Sequence, residues 1–307
     1  MGLSDVDHRM TSSDPRPVTR PVLVGVVGDS GSGRTTLIEA VRAVTGGGSV
    51  LHLRLDDYHK LAREERRAQG VTALSPSAND LALATTHVAA LRRGVAIQKP
   101  VYRHDTGTFG PPEALLPAPI VMVSGLLGYS TPALAALFDL RIFMDPDDQL
   151  WAQWKRRRDT AERGYDDDGV RQELEARRAD RERFVAPQRD AAHLVVAVIP
   201  PPGYWSRRDD ARLNVRLTAR EASVASILEQ VAAAAPPGDG RPLVRLSEGE
   251  AAGDLLTLQV DGETPAETVG AICAALGLAV VPATTPALAV SAAVTAALVA
   301  RRQPTAG

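Results

Sequence analysis

Pro21-Val22-Leu23-Val24-Gly25-Val26-Val27-Gly28-Asp29-Ser30-Gly31-Ser32-Gly33-Arg34-Thr35-Thr36 is the stretch on which the reading of this chain turns. Its first part, Pro21 to Val27, is a short β-branched run, the pattern of a strand buried on both faces. Its second part, Gly28 to Thr36, has phosphate-loop spacing apart from one residue and opens a helix from Thr35 to Val44. Glycines are needed there because successive backbone N–H groups must turn inward toward phosphate oxygens, in conformations that side chains obstruct. The N-terminus of the following helix adds a positive field. The candidate phosphate contacts are therefore Gly28, Asp29, Ser30, Gly31, Ser32, Gly33, Arg34, Thr35 and Thr36. Thr35 stands where a hydroxyl ligates Mg²⁺. Arg34 is the exceptional residue, in the position that normally holds lysine; it is longer, planar and suited to two-point contacts, whereas lysine is a compact point charge.

Outward from this stretch the pattern repeats. Val50 to Leu55, Ile120 to Val123, Leu140 to Met144 and Leu194 to Val198 read as further strands, with helices over Asp80–Arg93, Asp148–Arg163 and Val170–Phe184 between them. Such alternation implies an α/β fold with a mainly parallel sheet covered by helices on both faces, and ligands bind such sheets beyond the carboxyl ends of the strands. Pro200-Pro201-Pro202-Gly203 then breaks the pattern. Beyond it, Leu213–Leu217 and Leu255–Val260 look like strands, Ala222–Ala234 and Pro265–Leu276 like helices, and Ala235 to Gly240 like a linker. The expected organisation is a tail over residues 1–19, a nucleotide-binding core over 20–205 and a C-terminal accessory α+β region over 206–307.

A chain of 307 residues can bury a large core, and its net charge of −2 points to no nucleic-acid partner, so any anion site must be local. The single cysteine, Cys273, rules out an internal disulfide and fits a reducing, cytoplasmic compartment. Met1 to Arg20 has no apolar stretch and reads as a disordered lead-in. Thr268 to Ala300 carries no charge, but Pro282 and Pro286 interrupt it, so two buried helices are expected rather than a membrane span. His52, His87 and His193 have no evident role, and no histidine or cysteine spacing suggests zinc.

After the second strand come Leu55-Asp56-Asp57-Tyr58-His59, Arg63, Gly70 to Leu74, Pro76 and Asn79, then Lys99-Pro100-Val101-Tyr102-Arg103-His104-Asp105 through Phe109 and Pro111-Pro112-Glu113. Gly125-Leu126-Leu127-Gly128-Tyr129, Trp154-Lys155, Arg158 to Gly164 and Pro187-Gln188 follow. This order resembles the phosphoribulokinase/uridine kinase family, particularly its plant-like members and their bacterial relatives, over roughly residues 20 to 200. The resemblance implies a doubly wound sheet of the P-loop kinase type and an ATP- and Mg²⁺-dependent transfer to a sugar-phosphate hydroxyl, ribulose 5-phosphate to ribulose 1,5-bisphosphate. It assigns the general base to Asp56, with Arg34 beside it in catalysis, and substrate contacts to Asp57, His59, Arg63, Tyr102, His104, Lys155, Arg158 and Arg163. A carboxylate one strand from a phosphate loop makes chemical sense as the acceptor of a hydroxyl proton. Trp151 and Trp154 are expected to anchor the Asp148–Arg163 helix, with Arg156 and Arg157 on a solvated face.

Two positions depart from the family pattern. Ser124 stands where an acid usually precedes Gly-Leu, and Arg34 stands for lysine. Ser32 and Arg54 occupy positions that hold regulatory cysteines in plant-type members, so no thiol control is expected. These departures keep open an alternative, a catalytically weakened paralogue that binds nucleotide or sugar phosphate as a regulator, beside a kinase with another acceptor, such as a nucleoside. The expected partner is a small-molecule sugar phosphate, with no nucleic acid and no membrane, and self-association is left open.

Overall fold

A computed structural model of the chain describes residues 20–163, 175–206, 212–235, 242–279 and 284–303, with the side chains of 159 and 161–163 also outside the description. The expected tail over 1–19, Gly164, residues 170–174 of the expected helix, the linker from 236 and Pro282 lie outside the described residues.

The β-branched runs do form the centre. Strands β1 (Val22–Gly28), β2 (Val50–Arg54), β5 (Ile120–Gly125), β6 (Leu140–Met144) and β7 (Leu194–Ile199) pair in parallel in the order β2-β5-β1-β6-β7. Between them lie α1 (Arg34–Thr45), α2 (Arg63–Ala68), α3 (Leu81–Arg92), α4 (Pro132–Ala135) and α5 (Asp148–Arg163). An antiparallel hairpin, β3 (Ile97–Arg103) with β4 (Thr108–Leu115), stands apart from the main sheet. The sheet then continues without a break into β8 (Asn214–Ala219), β10 (Leu256–Val260) and β9 (Val244–Glu248), all antiparallel to their neighbours. The position expected as a boundary, near 205, falls between β7 and β8, which are neighbours in one eight-stranded sheet.

Period-two alternation divides β1 between two cores. Val22, Val24 and Val26 face the layer built by α1 and by α6 (Ala222–Ala234), α7 (Ala266–Ala275) and α8 (Pro286–Ala300), while Leu23 and Val27 face the layer with α3 and α4. Helix α8 is apolar around its whole circumference and buried from Val290 to Val299, packing on α1, α6 and α7. Ser291 and Thr295 are tolerated there because their hydroxyls donate to the carbonyls of Ala287 and Ser291, both at 2.8 Å. The uncharged stretch is thus two buried helices, and among the described residues no helix is long and apolar enough to cross a membrane.

Several residues of the Gly125–Tyr129 and Pro187–Gln188 motifs hold the frame together. Tyr129 Oη donates to Gly25 O at 2.7 Å and accepts from Ile142 N at 2.9 Å, tying β1 to β6 beneath the phosphate loop. Gln188 accepts from Tyr129 N at 2.7 Å and donates to Leu126 O at 2.7 Å. Tyr129→Phe leaves a buried carbonyl and a buried amide without that oxygen, so urea denaturation is expected to show a loss of about 1–3 kcal/mol. An unchanged midpoint would show that these strands do not depend on the hydroxyl.

Candidate active site

The turn after β1 has the form its glycines allow. Gly31 and Gly33 have φ of 86° and 92°, left-handed conformations that suit glycine, and Gly33 leads into α1 with no side-chain cap on the first turn. Ser30, Gly31 and Gly33 of that turn line a cleft of about 1030 Å³. Around the loop, Trp151 Nε1 donates to Ser30 O at 3.0 Å, while Arg181 and Arg177 approach the buried carboxylate of Asp29 at 3.5 and 3.8 Å. Trp151 therefore anchors α5 to the loop itself, while Trp154 and Arg158 line the cleft. Arg156 and Arg157 are exposed, the solvated face expected of them.

Among the residues that line this cleft, Arg34 has a buried atom, Nη1, with no hydrogen-bond partner among the described residues; Ser32 Oγ, also buried and without one, belongs to a residue that lines a separate small cavity with Met144 and Asp145. An orphaned buried donor costs about 1–3 kcal/mol, which a bound anion recovers. Exposed Thr35 and Thr36 stand at the same mouth of the cleft. Uncapped amides, an orphaned guanidinium nitrogen and a free-standing hydroxyl fit a polyphosphate with a magnesium ion, a metal that takes one or two protein oxygens and completes its shell from phosphate and water. Among the described residues no group of three acids, histidines or cysteines forms a metal cage.

β2 ends in a single 3₁₀ turn over Leu55–Tyr58, and that turn sends the two neighbouring aspartates in different directions. Asp56 faces the cleft, with Oδ2 3.3 Å from Arg34 Nη2. Burial works against its charge, but Arg34, then His59 and His104, outweigh burial and hold its carboxyl below the ordinary value. Asp57 is buried and fully engaged elsewhere: Lys99 Nζ donates to it at 2.8 Å and Tyr102 N at 2.9 Å. Those two donors belong to β3, so Asp57 fastens the β3–β4 hairpin, whose far end brings His104 and Asp105 into the cleft. Lys99→Ala leaves that carboxylate buried beside a single amide, and thermal or urea unfolding is expected to register a loss of about 3 kcal/mol.

The remaining expected contacts form a layer behind the cleft wall. His59 Nδ1 pairs with Asn79 Oδ1 at 2.8 Å and its ring meets Tyr102 edge-on at 4.7 Å. Tyr102 is buried, accepts from Arg66 Nη2 at 2.9 Å and stacks edge-on against His104 and Phe109. Arg63 donates to the carbonyl of His104. Lys155 is almost wholly buried on α5, and Arg163 ends that helix with its side chain outside the described residues. The structure thus gathers Arg34, Thr35, Thr36, Asp56, His104 and Arg158 around one cavity and sets Asp57, His59 and Tyr102 behind them.

Three features were not read from the sequence. Ser124, where an acid usually stands, is paired with His52 Nε2 at 2.8 Å from the neighbouring strand, which gives that histidine a partner at the site. Burial, then Arg54, Arg42 and Arg34, push the His52 pKa down to about 4, so it is neutral at pH 7. Arg66 and Lys99 prove to be buried cations that brace the hairpin, visible in the sequence only as charges inside the quoted motifs. The far wall of the cleft comes from Val196 and Val198 on β7, Val215 on β8, and Ala287, Leu288 and Ser291 on α8, an apolar surface beside the phosphate cradle.

The model of the phosphoribulokinase/uridine kinase family matches residues 23–202, more than half of the chain. The chain belongs to that family. Its relatives include the phosphoribulokinase of Synechocystis sp., 35% identical over 202 residues that cover 66% of this chain and 60% of the relative. The chloroplastic phosphoribulokinase of Arabidopsis thaliana is 34% identical over 217 residues, 65% of this chain and 55% of the relative. The chain therefore matches somewhat more than half the length of these curated relatives. Among solved structures, phosphoribulokinase from Rhodobacter spheroides superposes with a TM-score of 0.57 at 18% identity, covering 82% of this chain and 94% of that one, which fixes the fold. The superposed share of this chain, 82%, is larger than the 23–202 stretch that the family model matches.

Proposed function

We propose that this chain is a phosphotransferase that moves the γ-phosphoryl group of ATP to a hydroxyl of a sugar phosphate, with ribulose 5-phosphate as acceptor and ribulose 1,5-bisphosphate as product. The observation that carries this reading is a carboxylate, Asp56, facing the same cavity as a glycine-rich cradle with an orphaned guanidinium nitrogen. In the proposed reaction Asp56 takes the proton of the acceptor hydroxyl as its oxygen bonds to the γ-phosphorus and ADP leaves. The cradle amides would hold the polyphosphate in line, and Thr35 would hold a magnesium ion, which would supply charge neutralisation for the transfer. Arg34 Nη1 and Arg158 stand where negative charge gathers, and His104, at the end of the hairpin, takes the phosphate of the acceptor. Asp57, Arg63 and Tyr102 serve by holding that hairpin. Lys155 and Arg163 are assigned to the substrate side through α5. The region from 206 to 307 serves as the accessory lobe that closes the apolar end of the cleft, and the cytoplasm is the proposed site of action.

A second reading has its own support. Arg34 is tied to the proposed base, and the position of a usual acid is a neutral Ser124–His52 pair. Both fit a nucleotide- or sugar-phosphate-binding regulator with little turnover. An ADP-release assay with ribulose 5-phosphate, run on wild type and on the Arg34→Lys/Ser124→Glu double variant, separates the two. Turnover in wild type removes the regulator, and turnover confined to the double variant removes the kinase. A panel including uridine and other phosphosugars reads the acceptor.

A further inference from the structure

The two terminal nitrogens of Arg34 are in different situations. Nη2 lies 3.3 Å from Asp56 Oδ2, while Nη1 is buried with no partner among the described residues. The contact to Asp56 is long for a charge-assisted hydrogen bond, which settles nearer 2.7–2.9 Å, roughly. One half of the fork is therefore loosely held and the other half is short of an acceptor. The Arg34 side chain is only 9% exposed, and Arg34 lines the same cleft as Asp56 and the cradle glycines Gly31 and Gly33. A lysine offers one compact charge at this position and cannot divide itself in this way. A polyphosphate brings several anionic oxygens to the orphaned nitrogen, against one carboxylate on the other side.

We propose that Arg34 is a positioning residue that polyphosphate binding draws from Asp56 into the phosphate cradle, so that the carboxylate is released to the acceptor hydroxyl only when the nucleotide is in place. This rests on the base role proposed for Asp56. Nucleotide then binds before the acceptor is activated, and the empty site keeps its base tied. Of the charged groups that hold the Asp56 carboxyl down, Arg34 has the largest effect, ahead of His59 and His104, so its withdrawal removes the strongest of those charges from the base.

The test is a double-mutant cycle on the full chain, with tripolyphosphate affinity read by titration calorimetry for wild type, Asp56→Asn, Arg34→Met and the double variant. Wild type must break the Arg34–Asp56 pair to bind, so Asp56→Asn is expected to bind about fivefold more tightly, the worth of one partly exposed ion pair. In the Arg34→Met background the same Asp56→Asn change is expected to leave affinity unchanged. An equal gain in both backgrounds means that Asp56 acts on the ligand by through-space repulsion and overturns the proposal, as does no gain in either. Absence of wild-type binding overturns both this proposal and the phosphotransferase reading. The expected cycle without any ADP release removes the phosphotransferase reading and keeps the exchange of Arg34. If Arg34→Met does not fold, as judged by thermal unfolding, Arg34→Gln, which removes the charge but keeps a polar side chain, takes its place with the same expected loss of coupling.

Discussion

Asp56→Asn is expected to lower kcat by about a thousandfold, within the range that a positioned general base supplies, while nucleotide still binds. The amide keeps the size and planar shape of the carboxylate and its place in the 3₁₀ turn at Leu55–Tyr58, so the cavity is preserved. What it loses is the ability to take a proton from the acceptor. Its neighbour provides the control: Asp57→Asn disturbs the Lys99 and Tyr102 contacts that hold the β3–β4 hairpin, so its effect is expected in unfolding midpoint and acceptor KM. Single-turnover rates with saturating nucleotide separate the two positions. If Asp56→Asn turned over at the wild-type rate while Asp57→Asn did not, the assignment of the base would move to the buried carboxylate.

Those two aspartates show what could and could not be read without coordinates. Each lies in an acidic pair after a strand, and only the direction of one short turn separates a cleft-facing group from a hairpin clasp. The parallel core was legible because its strands are apolar on both faces, and the bounds expected for β1, β2, β5, β6 and β7 agree with the structure to within a few residues. The β3–β4 hairpin was not, since Lys99, Pro100, Arg103, Pro111 and Pro112 break the alternation and the pairing of Lys99, Asp57 and Glu113 replaces hydrophobic burial. β9, Val244–Glu248, is a short, largely exposed edge strand in which only Val244 and Leu246 are apolar, too brief an alternation to stand out. The phosphate cradle was legible from glycine spacing because it is local. The Ser124–His52 pair required knowing that β2 and β5 are neighbours, and the apolar wall of the cleft required the placement of β8 and α8, neither of which any local spacing encodes.

Acidification is expected to destabilise the fold well before its carboxylates titrate. His52 and His59 both have pKa values pushed down to about 4, first by burial, and then by Arg54, Arg42 and Arg34 for His52 and by Arg66 and His104 for His59. For His59, Asp56 and the Asn79 contact oppose the shift without reversing it. Between roughly pH 6.5 and 4 the unfolded chain therefore takes up protons that the folded chain refuses, so stability rises with pH across that window. Stability is complete above neutrality, falls as pH drops through about 6.5 and levels off near 4, with about 3 kcal/mol at stake for each histidine. Burial lowers His87 and His193 too, in the same sense. Asp145 works the other way, because burial raises its carboxyl and favours the folded state as protons are added, while the depressed Asp56 carboxyl withdraws its contribution only at lower pH still. Urea midpoints at pH 7.5 and 5.0 are expected to differ by more than one carboxylate supplies, and His59→Gln to remove its share of the difference. A midpoint indifferent to pH over that interval would mean that these imidazoles carry protons in the folded state. For His52 that would place a cation beside Ser124 and Arg34, in the part of the site where the family usually keeps an acid.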